Sequence, residues 1–471
     1  MSSTKNSLAM QRIAKLLDEN SFVELGSLVT ARSTDFNLTA DKTPSDGVIV
    51  GHGLIDENLV FVYSQDASVL GGTIGEMHAK KIASVYDMAM KMGAPVIGLL
   101  DCAGVRLQES VDALEGMGQI YAKQTAASGV VPQISAVFGS CGGGLAVASA
   151  LCDFTYMETE KGRLFVNSPD AIADNNVSKC DTAKADFQAA NTGVVDAAGT
   201  EDEILAEIRE LVTILPGCNE ESGRVDECTD DLNRACESME SMKGDPRYFL
   251  SEIADDHNFV ETKKGYAKDM VTGFIKLNGI TVGAVANATV MHDENGNRTE
   301  EFEAALTAQG CEKAADFIQY CDAFDIPVLS MTNTTGFKAT SCSEKRLPKA
   351  LARMTYAFAN ATTAKINFIT GDAFGSSYVM MNSKSLGADL VYAWPDAKSA
   401  AKIMYADASA DVLDEKAKEY EALQSNVENA ARRGYIDLII NPADTRKYLI
   451  AGFEMLFTKK VEGPMKKHGA K

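Results

Sequence analysis

The sequence predicts an α/β protein made of two related halves. Three observations lead there. Strand-like runs alternate with helix-like runs, the pattern of parallel sheets covered by helices. Long stretches recur at a fixed spacing: KIASVYDMAMKMGAPVIGLLDCAG from Lys81 and KAADFIQYCDAFDIPVLSMTNTTG from Lys313 align without a gap. Lys81 falls on Lys313, Pro95 on Pro327, Gly104 on Gly336, Gly139 on Gly371 and Gly143 on Gly375, each pair 232 positions apart. Upstream, LLDENSFVE from Leu16 matches IADDHNFVE from Ile253 at an offset of 237. Finally, residues 124–152 carry no charge. Their length could span a bilayer, but Pro132, the glycines at 139 and 142–144 and several serines fit a buried strand, a glycine turn and a buried helix.

Each half reads in the same order. A two-strand hairpin comes first (Gly47–Ile55 with Leu59–Ser64; Val271–Leu277 with Ile280–Asn287). A helix follows (Met77–Met92; Cys311–Phe324), stopped by Gly93 or Asp325 with a proline two residues on. A short apolar strand (Val96–Leu100; Val328–Met331) then leads to a loop holding Gly104 or Gly336. Another helix precedes a strand, Gln133–Phe138 in the first half, and the glycine turn; there the helix Leu145–Leu151 closes the series. The acidic, polar stretch from about Pro216 to Lys243 reads as the join, giving domains at 1–225 and 251–471 with a linker at 226–250.

Composition narrows the function. The chain has 471 residues, room for two or three domains. With 45 basic and 66 acidic residues the net charge is −21, which excludes nucleic acid as the main partner. Ten cysteines form no CxxC and five histidines form no HExxH, so no metal site is expected. Scattered thiols with no signal pattern at MSSTKNSLAM point to a cytoplasmic protein.

The chain lacks GxSxG, GxxxxGK[ST] and a strand-to-helix GxGxxG. Its richest glycine motif, GSCGGG at 139–144, opens a helix after a buried strand. Free amides there, with glycines that let a ligand approach, are what an oxyanion hole requires. A tight turn that needs glycine for packing would show the same residues. AMKM at Ala89–Met92 matches the core of a biotin-attachment sequence, but helical spacing around Lys91 argues against attachment.

YSQDASVLGGTIGEMHAKKI (63–82), MAMKMGAPVIGLLDCAGVRLQE (88–109), SGVVPQISAVFGSCGGG (128–144) and ANATTAKINFITGDAFGSSYVMMNSKSLGADLVYAWPDA (359–397) resemble the carboxyltransferase subunit of biotin-dependent acyl-CoA carboxylases and decarboxylases. The resemblance implies two tandem crotonase-like domains, a β-β-α superhelix in each half. It implies transfer of a carboxyl group between an acyl-CoA, bound by the N-terminal half, and biotin on a separate carrier protein, bound by the C-terminal half. Each half supplies an oxyanion hole, which accounts for two glycine turns and no catalytic triad. It also implies a biotin carboxyl carrier partner, a biotin carboxylase or membrane decarboxylase subunit, and a homo-oligomer, a hexamer, in which one subunit's N-half meets a partner's C-half.

Residue by residue, the resemblance assigns Gly143 and Gly144 to the thioester oxygen, and Gly71 and Gly72 to the loop bordering that pocket. Gly104 and Arg106 fall in the adjacent DCAGVR loop. Arg106, Lys80 and Lys81 are candidate sources of positive potential for CoA phosphates. The C-half departs from the family pattern. Asn333-Thr334-Thr335-Gly336-Phe337 replaces Asp-Thr-Pro-Gly-Phe, and Gly371-Asp372-Ala373-Phe374-Gly375-Ser376-Ser377-Tyr378 replaces Arg-Lys-Ala-Tyr-Gly-Gly-Ala-Tyr. Ser376 and Ser377 still offer peptide amides, and Gly336, Phe337 and Gly375 form the biotin-side loops. Two other readings compete: a biotin-free crotonase-like hydratase or isomerase using Glu76 or Glu109 as general acids, and a non-catalytic acyl-CoA-binding scaffold.

Overall fold

A computed structural model describes residues 7–32, 36–221, 225–237, 239, 244–293, 295–400, 416, 418–420 and 422–461. The chain divides into two compact units, Met1–Glu221 with Lys263–Tyr266, and Ser222–Thr262 with Ala267–Lys471. Within the stretch expected as a linker, 226–250, Cys236 and Met239 are buried in the second unit's core, and a helix starts at Pro246. Residues 238 and 240–243 lie outside the described residues.

In the first unit, α1 (Leu8–Leu16) and β1 (Val23–Leu25) precede the hairpin β2 (Val48–Ile55) and β3 (Asn58–Gln65). Then come α2 (Glu76–Met92), β4 (Val96–Cys102), α3 (Val111–Ala127), β5 (Gln133–Gly142) and α4 (Gly144–Ala150). β6 (Phe154–Glu158), β7 (Arg163–Phe165), α5 (Ala185–Asn191), β8 (Ala197–Gly199) and α6 (Glu201–Ile214) complete it. The sheet order is β1-β2-β3-β4-β5-β6-β8, with β7 on β5; pairing is parallel from β3 onward. The uncharged run is thus a central strand with α4 packed beside it. No described helix is long and apolar enough to cross a membrane.

The second unit repeats this plan. α7 (Pro246–Ile253) and β9 (Phe259–Thr262) lead to the hairpin β10 (Met270–Leu277) and β11 (Ile280–Asn287). A small hairpin, β12 (Val290–His292) and β13 (Arg298–Glu301), and β14 (Ala305–Leu306) come before α8 (Ala308–Ala323). This insertion explains why the hairpins stand 222 positions apart in strand register while the following elements keep 232: Val48 pairs with Gln65 and Met270 with Asn287. β15 (Val328–Thr334), β16 (Gly336–Phe337), α9 (Ser341–Glu344), α10 (Leu347–Asn360), β17 (Lys365–Phe374) and α11 (Gly375–Met380) follow. β18 (Leu390–Ala393) and β19 (Lys398–Ala400) both pair with β17. Trp394 is buried against the edges of Phe249 and Phe368, and its indole N–H donates to Thr445 Oγ1 at 3.1 Å.

The LLDENSFVE and IADDHNFVE repeats have a physical role. Each hairpin turns through two left-handed residues, Asp56-Glu57 and Asn278-Gly279. The Asp18 carboxylate accepts both turn amides in the first unit, and Asp255 does so in the second. Each aspartate is gripped by an arginine from a late helix, Arg209 at 2.8 Å and Arg446 at 2.7 Å. Both aspartates and both arginines stand 237 positions apart, so one capping device occurs twice.

Candidate functional site

Three loops of the first unit leave the carboxyl ends of neighbouring parallel strands, where open α/β sheets hold ligands. The Leu70–Gly72 turn follows β3, the 103–110 loop follows β4, and Gly143 follows β5. Ala103 N–H donates to Gly71 O (2.9 Å), Ile74 N–H to Gly104 O (2.9 Å) and Arg106 N–H to Ile74 O (2.8 Å), lacing the first two loops together. Gly72 is obligatory: its φ is +63°, and a Cβ there would lie 2.3 Å from Asp101 O.

The glycine motif is less of a turn than the sequence suggests. β5 continues through Gly142, so the turn narrows to Gly143 (φ 61°, ψ −125°), which caps α4. Gly139 serves packing, since a Cβ would fall 1.9 Å from Asp101 Oδ1; Gly371 does the same beside Asn333 Oδ1, at 2.6 Å. The expected thioester donors also separate. Gly143 N–H donates to Phe165 O (2.9 Å) and Gly72 N–H to Val69 O (2.9 Å). The Gly143 amide is therefore taken, which corrects its assignment to the thioester oxygen, and the Gly72 amide is taken within the bordering loop where the sequence placed it. Among the described residues, Gly144 N–H and Gly71 N–H meet no backbone acceptor. Gly144 is the first residue of α4, where an N–H has no partner inside the helix. Gly104 is a spacer, its N–H donating to Cys102 Sγ at 3.3 Å.

Arg106 does not act as expected. Its side chain is fully buried, and Nη1 meets Asp46 Oδ1 (2.5 Å) and Glu109 Oε1 (2.7 Å). Nη2 donates to Thr73 O (2.8 Å), while Glu109 Oε2 accepts Glu76 N–H (2.6 Å). Two carboxylates offset its charge, so it offers no potential to a CoA phosphate and instead ties the loops together. The lysines are also occupied. Lys80 pairs with Glu76 at 2.7 Å. Lys81 is buried, donates to Ser45 O (2.9 Å) and Val48 O (2.5 Å), and burial pushes its ammonium down to about 8. Its bonds secure Ser45-Asp46-Gly47, a run of left-handed residues. His78, likewise buried, donates its backbone N–H to Asp46 Oδ2 (2.7 Å), and burial lowers its pKa to about 3, so its ring is neutral. Glu109 and Glu76, the acids a hydratase would need, are held by Arg106 and by Lys80 with Arg32.

The second unit forms a counterpart. β17 ends in α11, with Gly375 left-handed at the junction. Ser376 is exposed; Ser377 is buried, with its hydroxyl donating to Phe374 O (2.9 Å). A groove of about 770 Å³ brings Phe337 and Ser376 together with Leu347, Leu351, Tyr356 and Met380. A cavity of about 500 Å³ borders Gly375 and Ser376 on another side. The groove is mainly apolar, with the amides of the first α11 turn at its edge. Gly336 N–H donates to Thr334 Oγ1 (3.5 Å), echoing Gly104 and Cys102. The substituted Asn333 keeps a defined place, accepting Asp372 N–H at 3.1 Å.

A family model described as the carboxyl transferase domain matches residues 3–470. A propionyl-CoA carboxylase beta chain from Roseobacter denitrificans is 38% identical, over 98% of this chain and 92% of that one. The methylmalonyl-CoA decarboxylase alpha subunit of Veillonella parvula is 36% identical at the same coverage. Among solved structures, transcarboxylase 12S, a hexamer with methylmalonyl-coenzyme A bound, superposes with a TM-score of 0.89 at 32% identity, covering 98% of this chain and 92% of that one.

Proposed function

The chain belongs to the carboxyl transferase family and is a biotin-dependent carboxyltransferase of the propionyl-CoA carboxylase and methylmalonyl-CoA decarboxylase type; from that premise we propose how its two halves divide the work. The N-terminal unit takes a short-chain acyl-CoA of the propionyl/methylmalonyl or acetyl/malonyl kind. Gly144 N–H and Gly71 N–H hold the thioester oxygen, where negative charge grows as the α-carbon gains or loses its carboxyl group. Fixed backbone dipoles stabilise that charge without reorganising. The uncommitted Gly144 amide, beside a Gly143 amide already bonded to Phe165, is the observation that carries this reading.

Biotin on a separate carrier protein supplies the group that takes up and gives back CO2. In the C-terminal unit, Ser376 and Ser377 amides hold the polar head of that group, while Phe337, Leu351 and Met380 exclude water from it. Gly375 and Gly336 shape the surrounding loops. The chain works as a homo-hexamer with a biotin carboxyl carrier and either a biotin carboxylase or a membrane decarboxylase subunit, in the cytoplasm or at the inner face of such a complex. Exposed Leu107, Val111 and Leu114, on the loop after β4 and the start of α3, support burial against another subunit. The test is carboxyl transfer from malonyl- or methylmalonyl-CoA to free biotin. Transfer by the purified chain is expected; no transfer from either donor would contradict the proposal.

A further inference from the structure

One residue beside the thioester donor has no role so far. Tyr121, in the third turn of α3, donates its hydroxyl to Gly144 O at 2.7 Å, on an exposed part of the surface. A Cβ built on Gly144 would sit 2.6 Å from the Tyr121 oxygen and 3.8 Å from Met117 Cε. The phenol therefore stands directly against Gly144. The facing space at Gly143 is open, with nothing within 4 Å of its Cβ position.

We propose that Tyr121 sets the size of acyl group this carboxyltransferase accepts, by walling the pocket where the acyl α-substituent meets Gly144. This rests on the reading that Gly144 N–H holds the thioester oxygen. A carbonyl oxygen and the α-carbon are separated by the carbonyl carbon alone. An oxygen held at Gly144 thus brings the α-carbon and its substituent to the groups that touch Gly144, and Tyr121 is the polar side chain among them. Its hydrogen bond to Gly144 O fixes the ring, so the wall cannot swing away at no cost. One methylene in such a pocket discriminates by about 10-fold or somewhat more.

The full-length enzyme is assayed for carboxyl transfer to free biotin from malonyl-, methylmalonyl- and ethylmalonyl-CoA, as wild type, Tyr121→Phe and Tyr121→Trp. Tyr121→Phe should raise the ethylmalonyl-to-malonyl ratio of kcat/KM about 5-fold or more. Tyr121→Trp should lower it, with the change carried mainly by KM of the larger donor. A residue needed only for packing would lower all three donors alike, so ratios that stay within 2-fold in both variants overturn the proposal. A wild type that carboxylates biotin from none of the three overturns the carboxyltransferase reading of the site, and this proposal with it.

Discussion

The two halves share a backbone plan yet secure their loops by different means. In the N-terminal half, the loop after β4 is pinned from inside by Arg106, Asp46 and Glu109, all buried. The position matching Arg106 in the C-terminal half is Lys338, a half-exposed side chain paired with Glu303 at 2.8 Å. Gly310 matches the buried His78. The N-half thus builds a stiff, charge-locked floor beneath its glycine turns. The C-half has a solvent-facing ion pair there and, inside, hydrogen bonds between neutral groups, Asn333 with the Asp372 amide and Thr334 with Gly336. A buried charge cluster is costly to assemble and costly to break, but it holds loops in one arrangement. That suits the half assigned to a free, diffusing thioester. The half proposed to receive biotin from a protein carrier needs less of it.

Substitutions can break this contrast. Arg106→Met leaves two buried carboxylates without their cation, each keeping one backbone amide, and should cost about 3–5 kcal/mol of stability in chemical denaturation. His78 comes next. Its pKa falls from its usual value to about 3 on folding, so the unfolded chain binds the extra proton. Its contribution is complete above about pH 6.5 and is lost as pH falls towards 3. Between pH 7 and pH 4.5 wild type should lose about 2–3 kcal/mol more than His78→Gln, measured as paired denaturation midpoints. The matching change in the other half, Lys338→Met, should cost less than about 1 kcal/mol, because the pair is screened by water. Equal losses for Arg106→Met and Lys338→Met would remove the contrast.

Much of the plan was legible in the sequence because the repeat is gapless where helices and strands pack tightly. Lys81 and Lys313, Gly139 and Gly371, and Gly104 and Gly336 all occupy matching places. The Asp18 and Asp255 repeat marked the capped hairpins, and Arg209 and Arg446 share its offset. The site was read less well. Arg106 looked like a surface cation because its partner Asp46 lies far away in sequence, in an unusual left-handed turn that no local pattern announces. GSCGGG looked like a turn throughout, whereas β7 extends β5 through most of it. That Gly143 gives its amide to Phe165 and Gly144 does not depends on a strand pairing that residue types alone do not specify. Tyr121 carries no functional signal in the sequence, because an aromatic residue at helical spacing reads as core.

The central claim is the division of labour between Gly144 and Ser376. The most direct measurement is carboxyl transfer from methylmalonyl-CoA to free biotin with each substrate varied, comparing two proline substitutions that remove one amide each. Gly144→Pro is made in a Tyr121→Phe background so that the ring does not meet the Tyr121 hydroxyl, and is compared with Tyr121→Phe alone. It should lower kcat/KM for methylmalonyl-CoA by about 10²–10³. Ser376→Pro should fall mainly on kcat/KM for biotin while propionyl-CoA binding stays within 2-fold of wild type. If folded Gly144→Pro enzyme transfers at the rate of its parent, or if Ser376→Pro weakens propionyl-CoA binding as much as biotin use, the assignment of the two halves is wrong.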